Sequence, residues 1–143
     1  MGFDVTEVLS AGLSAARTRV NVLAANIANA ETTRTAEGGP YRRRDVVQVA
    51  KTEASSFSSV LDNLTLARPA IERVVADQTP GRMVYEPGHP DANKEGFVEY
   101  PNINVVSTMT DLTSASAMYQ ANVSALQTTR QMNEAARSIV GNQ

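Results

Sequence analysis

The sequence predicts a mainly α fold in which two long helices, one at each end of the chain, bracket a small β-containing insert. Apolar residues recur every three or four positions over residues 4–30 and again over residues 102–143. The middle contains short β-branched runs separated by Pro and Gly. Large core-forming side chains are scarce, with 3 Phe, 4 Tyr and no Trp in 143 residues, so a large self-contained core is not expected.

The first helix is predicted over residues 4–30. Its apolar side chains alternate spacings of four and three, which is the a/d pattern of a coiled coil: Leu9, Leu13, Ala16, Val20, Leu23, Ile27 and Ala30. We interpret this pattern as a strict, narrow seam. Asp4 and Glu7 suit the positive end of the helix dipole, and abundant Ala favours close approach of a partner helix.

Two asparagines, Asn26 and Asn29, interrupt the end of this helix, where Asn lowers helix propensity. One interpretation is an exposed polar edge beside a fraying terminus. The other, which we favour, is that the amides hydrogen-bond across a helix interface and set its register, as buried Asn does in coiled coils. Asn122 offers a matching amide on the C-terminal helix.

Residues 31–40 are Thr-rich, end in Gly38-Gly39-Pro40 and lack apolar periodicity, which predicts an extended or mobile connector. Residues 41–51 form a strand candidate that begins with three arginines, Arg42 to Arg44. Two interpretations of the arginines stay open. They either bind phosphate or acidic surfaces, or form a solvated edge that discourages strand pairing.

The rest of the insert is predicted in pieces. Residues 52–69 fit either a short helix or an ordered loop. A strand is expected at residues 71–76 and a second at residues 83–86, which could pair with it as a hairpin. Pro and Gly then punctuate residues 85–102 densely enough to predict a defined irregular path.

The second helix is predicted between Pro101 and the stop signal Gly141-Asn142, for about 36 residues and roughly 54 Å. Its seam and polar interface positions are Val105, Met109, Leu112, Ser116, Tyr119, Asn122, Val123 and Leu126. Past Leu126 the apolar spacing changes, and the pattern continues through Thr129, Met132, Ala136 and Ile139. We therefore expect the first half to meet the chain's own N-terminal helix, with Asn122 near Asn26 or Asn29, and the last turns to face other subunits. The predicted regions are 1–32, 33–101 and 102–143.

Composition excludes several classes of protein. A net charge of -2 and a pI near 5.4 argue against a nucleic-acid-binding chain, and the absence of Cys removes disulfides and thiol chemistry. No basic, apolar secretory leader and no transmembrane stretch is expected. The chain is thus expected to be cytosolic or exported without a cleavable leader.

Catalytic signals are weak. His89 is the single histidine, and we interpret it as a turn residue whose ring packs on Pro or bonds to the backbone. No phosphate-binding glycine loop, metal-ligand spacing or nucleophile elbow occurs. A cell-wall hydrolase using Glu86, Asp91, Glu95 or Glu99 is a conceivable alternative, but nothing in the pattern points to it. We expect a non-enzyme with no cofactor and no metal.

Two stretches carry a family resemblance. Residues 10–13 (SAGL) and 23–32 (LAANIANAET) resemble the N-terminal signature of bacterial flagellar rod and hook proteins. Residues 85–106 and 119–123 resemble the proximal rod proteins of the basal body in particular. The more specific part of the match is the loop that contains Glu86, Pro87, Gly88, His89, Pro90, Asp91 and Asn93.

The resemblance implies a structural subunit of the flagellar proximal rod, the periplasmic drive shaft, exported through the flagellar type III apparatus without leader cleavage. It implies terminal helices paired in an inner coiled-coil layer of a helical tube that transmits torque across the periplasm, with the middle further out. Implied partners are other proximal and distal rod subunits, copies of the chain, and an adaptor to the export gate or membrane ring. The alternative from another class is a soluble cytosolic coiled-coil adaptor or chaperone.

Overall fold

The computed structural model describes residues 5–51 and 68–140. In these ranges the chain forms two helices and four strands. Helix α1 spans Val5–Ala28 and helix α2 spans Val105–Val140. Between them lie β1 (Arg44–Lys51), β2 (Arg68–Ala76), β3 (Arg82–Tyr85) and β4 (Phe97–Tyr100). Two terminal helices with small antiparallel sheets between them agree with the predicted fold class. Asp4, residues 52–67 and the stop signal Gly141-Asn142 lie outside the described residues.

Helix α1 lies between α2 and the β1–β2 sheet, and it contacts both. Ala15 and Ala16 are buried side by side, and Asn26 is buried near the C-terminal end. The prediction of a strict, narrow seam on α1 is wrong, because α2 and the β1–β2 sheet cover this helix from different directions. Ala30 is buried as predicted, but it lies in the turn beyond Ala28, not on the helix.

Helix α2 begins after an asparagine cap. The side-chain oxygen of Asn104 accepts the backbone N–H of Ser107 at 3.0 Å, and its carbonyl accepts that of Thr108 at 2.9 Å. This arrangement satisfies donors that the first turn of a helix leaves unpaired. The helix then runs for 36 residues, the length that the sequence pattern predicts.

The four strands form two separate antiparallel pairs, β1 with β2 and β3 with β4. Arg44 pairs with Ala76 and Lys51 with Arg68, with a register irregularity between Val47 and Gln48. In the second pair, Arg82 is opposite Tyr100. The hairpin expected between residues 71–76 and 83–86 is therefore wrong. Residues 71–76 pair with β1, which precedes them in the chain, and β3 pairs with β4, which follows it. Strand β4 was not predicted, because the Pro and Gly residues of 85–102 indicated an irregular path.

The connector between α1 and β1 is not the extended segment that the sequence suggested. The backbone N–H of Tyr41 donates to the carbonyl of Thr32 at 2.9 Å, and that of Thr35 donates to Gly39 at 2.9 Å. The chain reverses between them because Gly38 and Gly39 adopt φ values of 89° and 72°, which glycine reaches at little cost. The connector is a closed loop that brings β1 back to the end of α1.

The hydrophobic core of the described residues is small. Its buried members are four alanines, Ala15, Ala16, Ala30 and Ala115, together with Val98. Alanine burial contributes little apolar area, so few kcal/mol come from any one of these side chains. Several larger apolar side chains on α2 are more than half exposed, namely Val106, Met109, Met118, Met132 and Ile139.

Candidate assembly surface

The two helices run antiparallel. A Cβ placed on Gly12 would lie 3.6 Å from Asn122 Nδ2 and 3.8 Å from Pro69 Cγ, so Gly12 is in van der Waals range of both α2 and β2. Further along α1, Arg17 and Val20 line a groove of about 210 Å³ with Ser116 and Tyr119. Later residues of α1 are therefore opposite earlier residues of α2.

One face of α2 is covered, and it follows a heptad spacing. Thr108 and Ala115 are buried, and the positions on the same line are half-buried: Leu112, Tyr119, Asn122, Leu126 and Thr129. The line advances by four and three residues in alternation. Leu112, Tyr119, Asn122 and Leu126 agree with the predicted interface positions. Thr108 and Ala115 were missed because hydropathy alone does not select small or polar side chains.

The remaining predicted seam residues divide by exposure. Ala16 and Asn26 are buried. Nine others are half-buried, namely Leu9, Leu13, Val20, Leu23, Ile27, Asn29, Val105, Ser116 and Val123. Met109, Met132 and Ile139 are exposed by 51%, 67% and 72%. Within the single chain Met109 is thus off the helix–helix face. Val105 continues the heptad line by one step of three residues, whereas Ser116 and Val123 lie beside it.

Asn26, only 1% exposed, connects α1 to β1. Its Nδ2 donates to the carbonyl of Arg44 at 2.7 Å, and its Oδ1 accepts the N–H of Arg44 at 2.9 Å and the hydroxyl of Tyr41 at 3.2 Å. The amide therefore pairs with the outer edge of β1 as a neighbouring strand would.

The predicted amide pairing between helices is wrong. Asn29 donates to the carbonyl of Ala25 at 2.9 Å and accepts the hydroxyl of Thr32 at 3.2 Å, both local contacts. Asn122 lies opposite Gly12, more than three helical turns from Asn26, because the helices are antiparallel. The buried asparagine sets the position of a strand and not the register of two helices.

The end of α2 extends past α1. Because Gly12 is opposite Asn122, the start of α1 at Val5 reaches about residue 129 of α2. Every residue from 130 to 139 is exposed, including Met132 and Ile139. In the described part of the chain nothing covers these last three turns.

The family-specific loop connects β3 to β4 and is fastened to the connector. The carboxylate of Asp91 accepts the hydroxyl of Thr33 at 2.7 Å and forms an ion pair with Arg34. The Thr33 hydrogen bond, followed by the charge of Arg34, holds the pKa of Asp91 below its ordinary value of 3.8. Asp91 thus ties a loop to a segment nearly 60 residues earlier in the chain.

Hydrogen bonds within the loop define its path. His89 Nδ1 accepts the backbone N–H of Asp91 at 3.0 Å, and its ring meets Tyr100 edge-on at 6.3 Å, which confirms the interpretation of a turn residue bonded to the backbone. Asn93 Oδ1 accepts the N–H groups of Glu95 and Phe97, each at 2.9 Å. Pro87, Gly88 and Pro90 lie exposed on the outer side.

The carboxylates around this loop accept hydrogen bonds that hold the β3–β4 hairpin. Glu86 accepts the hydroxyl of Tyr100 at 3.0 Å, and Glu99 accepts the N–H of Gly81 at 3.0 Å. The bond to Glu86 raises the pKa of Tyr100 above its ordinary value of 10.0, because losing that proton would bring two negative charges together. Among the described residues no group of three His, Cys, Asp or Glu side chains is placed to hold a metal ion.

Two protein families match parts of the chain. Residues 7–34, which include most of α1, match the family described as "Flagella basal body rod protein". Residues 94–139, which run from the end of the β3–β4 loop through α2, match the family described as "Flagellar basal body rod FlgEFG protein C-terminal". Both terminal helices are thus similar to those of flagellar basal-body proteins.

Full-length relatives extend the similarity to the insert. A protein of Borreliella burgdorferi named flagellar basal-body rod protein FlgC is 35% identical, with 96% of this chain and 97% of that protein covered. Proteins of the same name from Escherichia coli O6:H1 and Bacillus subtilis are each 36% identical to this chain. The alignment with the Escherichia coli protein covers 90% of this chain and 90% of that protein, and the alignment with the Bacillus subtilis protein covers 91% and 92%.

Proposed function

Because this chain belongs to the FlgC family of flagellar basal-body rod proteins, and is a structural subunit of the rod and not an enzyme, we propose that its exposed C-terminal helix end joins it to neighbouring subunits. Membership favours the rod over the cytosolic adaptor and the cell-wall hydrolase. The location of the chain is the flagellar basal body. Among the described residues, no helix is long and apolar enough to cross a membrane.

The observation that carries the proposal is the uncovered last stretch of α2. Residues 130–139 lie beyond the described start of α1 in the antiparallel arrangement, and they present Met132 and Ile139 to solvent. Apolar side chains on an otherwise polar helix end gain free energy when another helix covers them, by about 25 cal/mol per Å² of apolar area. A helix of a neighbouring subunit is the occupant that this surface suits.

The first part of α2 has a different role in the proposal. The heptad line from Thr108 to Thr129 packs on α1 of the same chain. We propose that this contact is an antiparallel coiled coil, in which buried Ala115 lets the backbones approach closely. In this proposal the described parts of regions 1–32 and 102–143 form the inner helical layer, and the described parts of region 33–101 lie outside it.

A contact of this kind is heterologous, since the α2 end of one subunit meets a different surface on the next. Heterologous contacts that do not close into a ring generate a helical tube. Such a tube suits a shaft that transmits torque across the periplasm.

The proposed partners follow from this position. They are other proximal and distal rod subunits, further copies of the chain, and an adaptor that links the rod to the export gate or membrane ring. Delivery through the flagellar type III apparatus without leader cleavage belongs to the same proposal.

The test introduces a charge at the α2 end. Met132→Asp and Ile139→Asp each place a carboxylate in the proposed interface, where its desolvation opposes assembly, while the exposed side chains leave the protomer's own packing unchanged. Gln131→Asp and Asn133→Asp, on exposed polar neighbours, are the matched controls. In a strain lacking its own rod subunit we expect swimming and basal-body yield to fall with the first pair and persist with the second.

Two seam variants test the inner layer separately. Leu23→Asp and Leu126→Asp put a charge on half-buried positions and should block both folding of the helix pair and rod formation. Normal motility with all four Asp variants at positions 23, 126, 132 and 139 would contradict assembly through the terminal helices.

A further inference from the structure

The closed connector loop and the start of β1 enclose a second feature, an open groove of about 500 Å³. Its lining includes Thr35, Glu37, Tyr41, Arg42, Arg44 and Gln78. We name it the arginine groove. It lies on the insert, away from the exposed end of α2.

The three consecutive arginines have different surroundings. Arg43 forms an ion pair with Asp45, with its Nη2 3.0 Å and 3.2 Å from the two carboxylate oxygens. Arg42 and Arg44 alternate with it, so they lie on the other side of the extended chain. In the described ranges, neither of these two guanidinium groups lies within ion-pair distance of a carboxylate.

Nearby contacts leave both guanidinium groups available. Arg42 makes one long hydrogen bond, 3.5 Å, to the carbonyl of Gln78. The carboxylate of Asp77, whose charge acts on Arg42, is already held by the hydroxyl and N–H of Thr79 at 2.6 Å and 2.8 Å. The Arg44 guanidinium lies 5.8 Å from the centroid of the Tyr41 ring, a cation–π contact that orients it without neutralising its charge.

The wall that carries these arginines is rigidly built. Buried Asn26 holds the Tyr41 hydroxyl and both backbone groups of Arg44, and the Tyr41 N–H donates to Thr32. An incoming ligand therefore finds Arg44 already positioned, which lowers the ordering cost of binding. Two uncompensated guanidinium groups on one wall favour carboxylates, which guanidinium binds with two parallel hydrogen bonds.

We propose that the arginine groove binds a carboxylate-bearing segment of a neighbouring basal-body protein. The proposal rests on the rod function and specifies the chemistry of one partner contact. Glu37, which also lines the groove, limits which segments can bind, because its carboxylate repels a uniformly acidic segment. The preferred segment presents Asp or Glu toward Arg42 and Arg44 and a basic or neutral side chain toward Glu37.

The first test measures binding of a labelled hexaglutamate peptide to the whole chain by fluorescence anisotropy, at about 0.1 M salt, where a Debye length of about 10 Å screens charges outside the groove. We expect Arg42→Gln and Arg44→Gln each to weaken binding by about two- to fivefold, as for solvent-exposed ion pairs. Glu37→Gln should strengthen it. Arg43→Gln, the same charge change on a neighbour paired with Asp45, should alter it by less than about twofold.

Equal weakening by all three Arg→Gln variants would mean non-specific attraction and would overturn the site. Binding of purified cell-wall fragments that depends on Arg42 and Arg44, without binding of the peptide, would overturn the choice of a protein partner.

A second test separates this proposal from the assembly proposal. Arg42→Gln/Arg44→Gln and Met132→Asp are each introduced into a strain lacking its own rod subunit. Reduced basal-body yield with the arginine variant, at unchanged protein level, supports the groove. Full swimming with the arginine variant and loss of swimming with Met132→Asp would discard the groove and leave the rod function standing.

Discussion

Asn26 shows how one side chain replaces a strand at a sheet edge. With its N–H and C=O both bonded to the amide, Arg44 has the hydrogen bonds that an additional β-strand would supply. The same amide accepts the Tyr41 hydroxyl, so one residue joins the helix end, the connector loop and β1. Because the amide is buried, losing any of these bonds leaves an unpaired polar group inside the protein.

Replacing Asn26 tests whether its hydrogen bonds to the connector loop and β1 stabilise the fold. Asn26→Asp removes the donor and places a carboxylate oxygen against the Arg44 carbonyl in a site that is 1% exposed, so the free energy of unfolding should fall by about 2–4 kcal/mol. Urea unfolding followed by circular dichroism measures the loss. Asn21→Asp, on an exposed position of the same helix, is the control and should change it by less than about 0.5 kcal/mol. Equal stability of the two variants would contradict the role of Asn26.

Asp91 gives the loop between β3 and β4 a dependence on pH. The folded state holds the pKa of Asp91 below 3.8, chiefly through the Thr33 hydrogen bond. As the pH falls, the unfolded chain therefore takes up the proton first. The contribution of Asp91 is complete above its ordinary pKa and is lost as the pH falls through the lower, folded value.

Amide resonances of the loop should follow this titration. Between about pH 5 and pH 2, we expect the N–H signals of residues 89–93 to shift and their hydrogen exchange to accelerate, because the loop loses its tie to Thr33 and Arg34. Asp91→Asn should abolish the pH dependence, whereas Glu95→Gln, on an exposed position, should preserve it. An unchanged titration in Asp91→Asn would assign the effect to another group.

At the scale of elements, small residues govern the contact between the helices. Gly12 meets Asn122, and alanines 15, 16 and 115 are the buried apolar residues of the two helices. The longer apolar side chains of α2 lie at the margin of this contact or outside it. The helix pair is therefore close-packed and intolerant of added volume.

Adding volume at its centre should separate the helices. Ala115→Leu inserts three carbon atoms where Ala115 is 5% exposed, and should lower the free energy of unfolding by about 1–3 kcal/mol through overpacking. Ala117→Leu and Ala121→Leu, on exposed faces of the same helix, should be neutral in thermal unfolding. A Tm unaffected by Ala115→Leu would show that position 115 does not face α1.

At the scale of the whole molecule, the unequal lengths of the helices leave one end unprotected. Helix α1 has 24 residues and α2 has 36. Since they are antiparallel and overlap from the start of α1, the surplus falls at the C-terminal end of α2. The roughly ten exposed residues that lie beyond the described start of α1 are fewer than an isolated helix needs for stability in water.

Limited proteolysis of the dilute protomer tests this asymmetry. Trypsin should cut after Arg130 and Arg137, in the uncovered turns, about tenfold faster than after Arg17 and Arg19, which are exposed but lie on the packed helix. Mass spectrometry of the early fragments gives the order of cleavage. Comparable rates at all four sites would show that α1 opens as readily as the end of α2.

The sequence by itself determined the existence and type of both helices, the approximate positions of three strands, and the family. These features rest on local information: a 3.6-residue repeat, short β-branched runs, and motifs read within about ten residues. The turn role of His89 belongs here too, because its partner is two residues away.

The tertiary structure decided which strands pair, that α2 runs antiparallel to α1 with Asn122 opposite Gly12, and that Asn26 binds Arg44. Each is a contact between distant residues, and several chain paths satisfy the same local pattern. The same cause explains why Thr108 and Ala115 are buried and Met109 is exposed. It also explains why Arg43, but neither adjacent arginine, forms an ion pair. Which side of an element is covered depends on the neighbour that packs against it, and periodicity does not specify that neighbour.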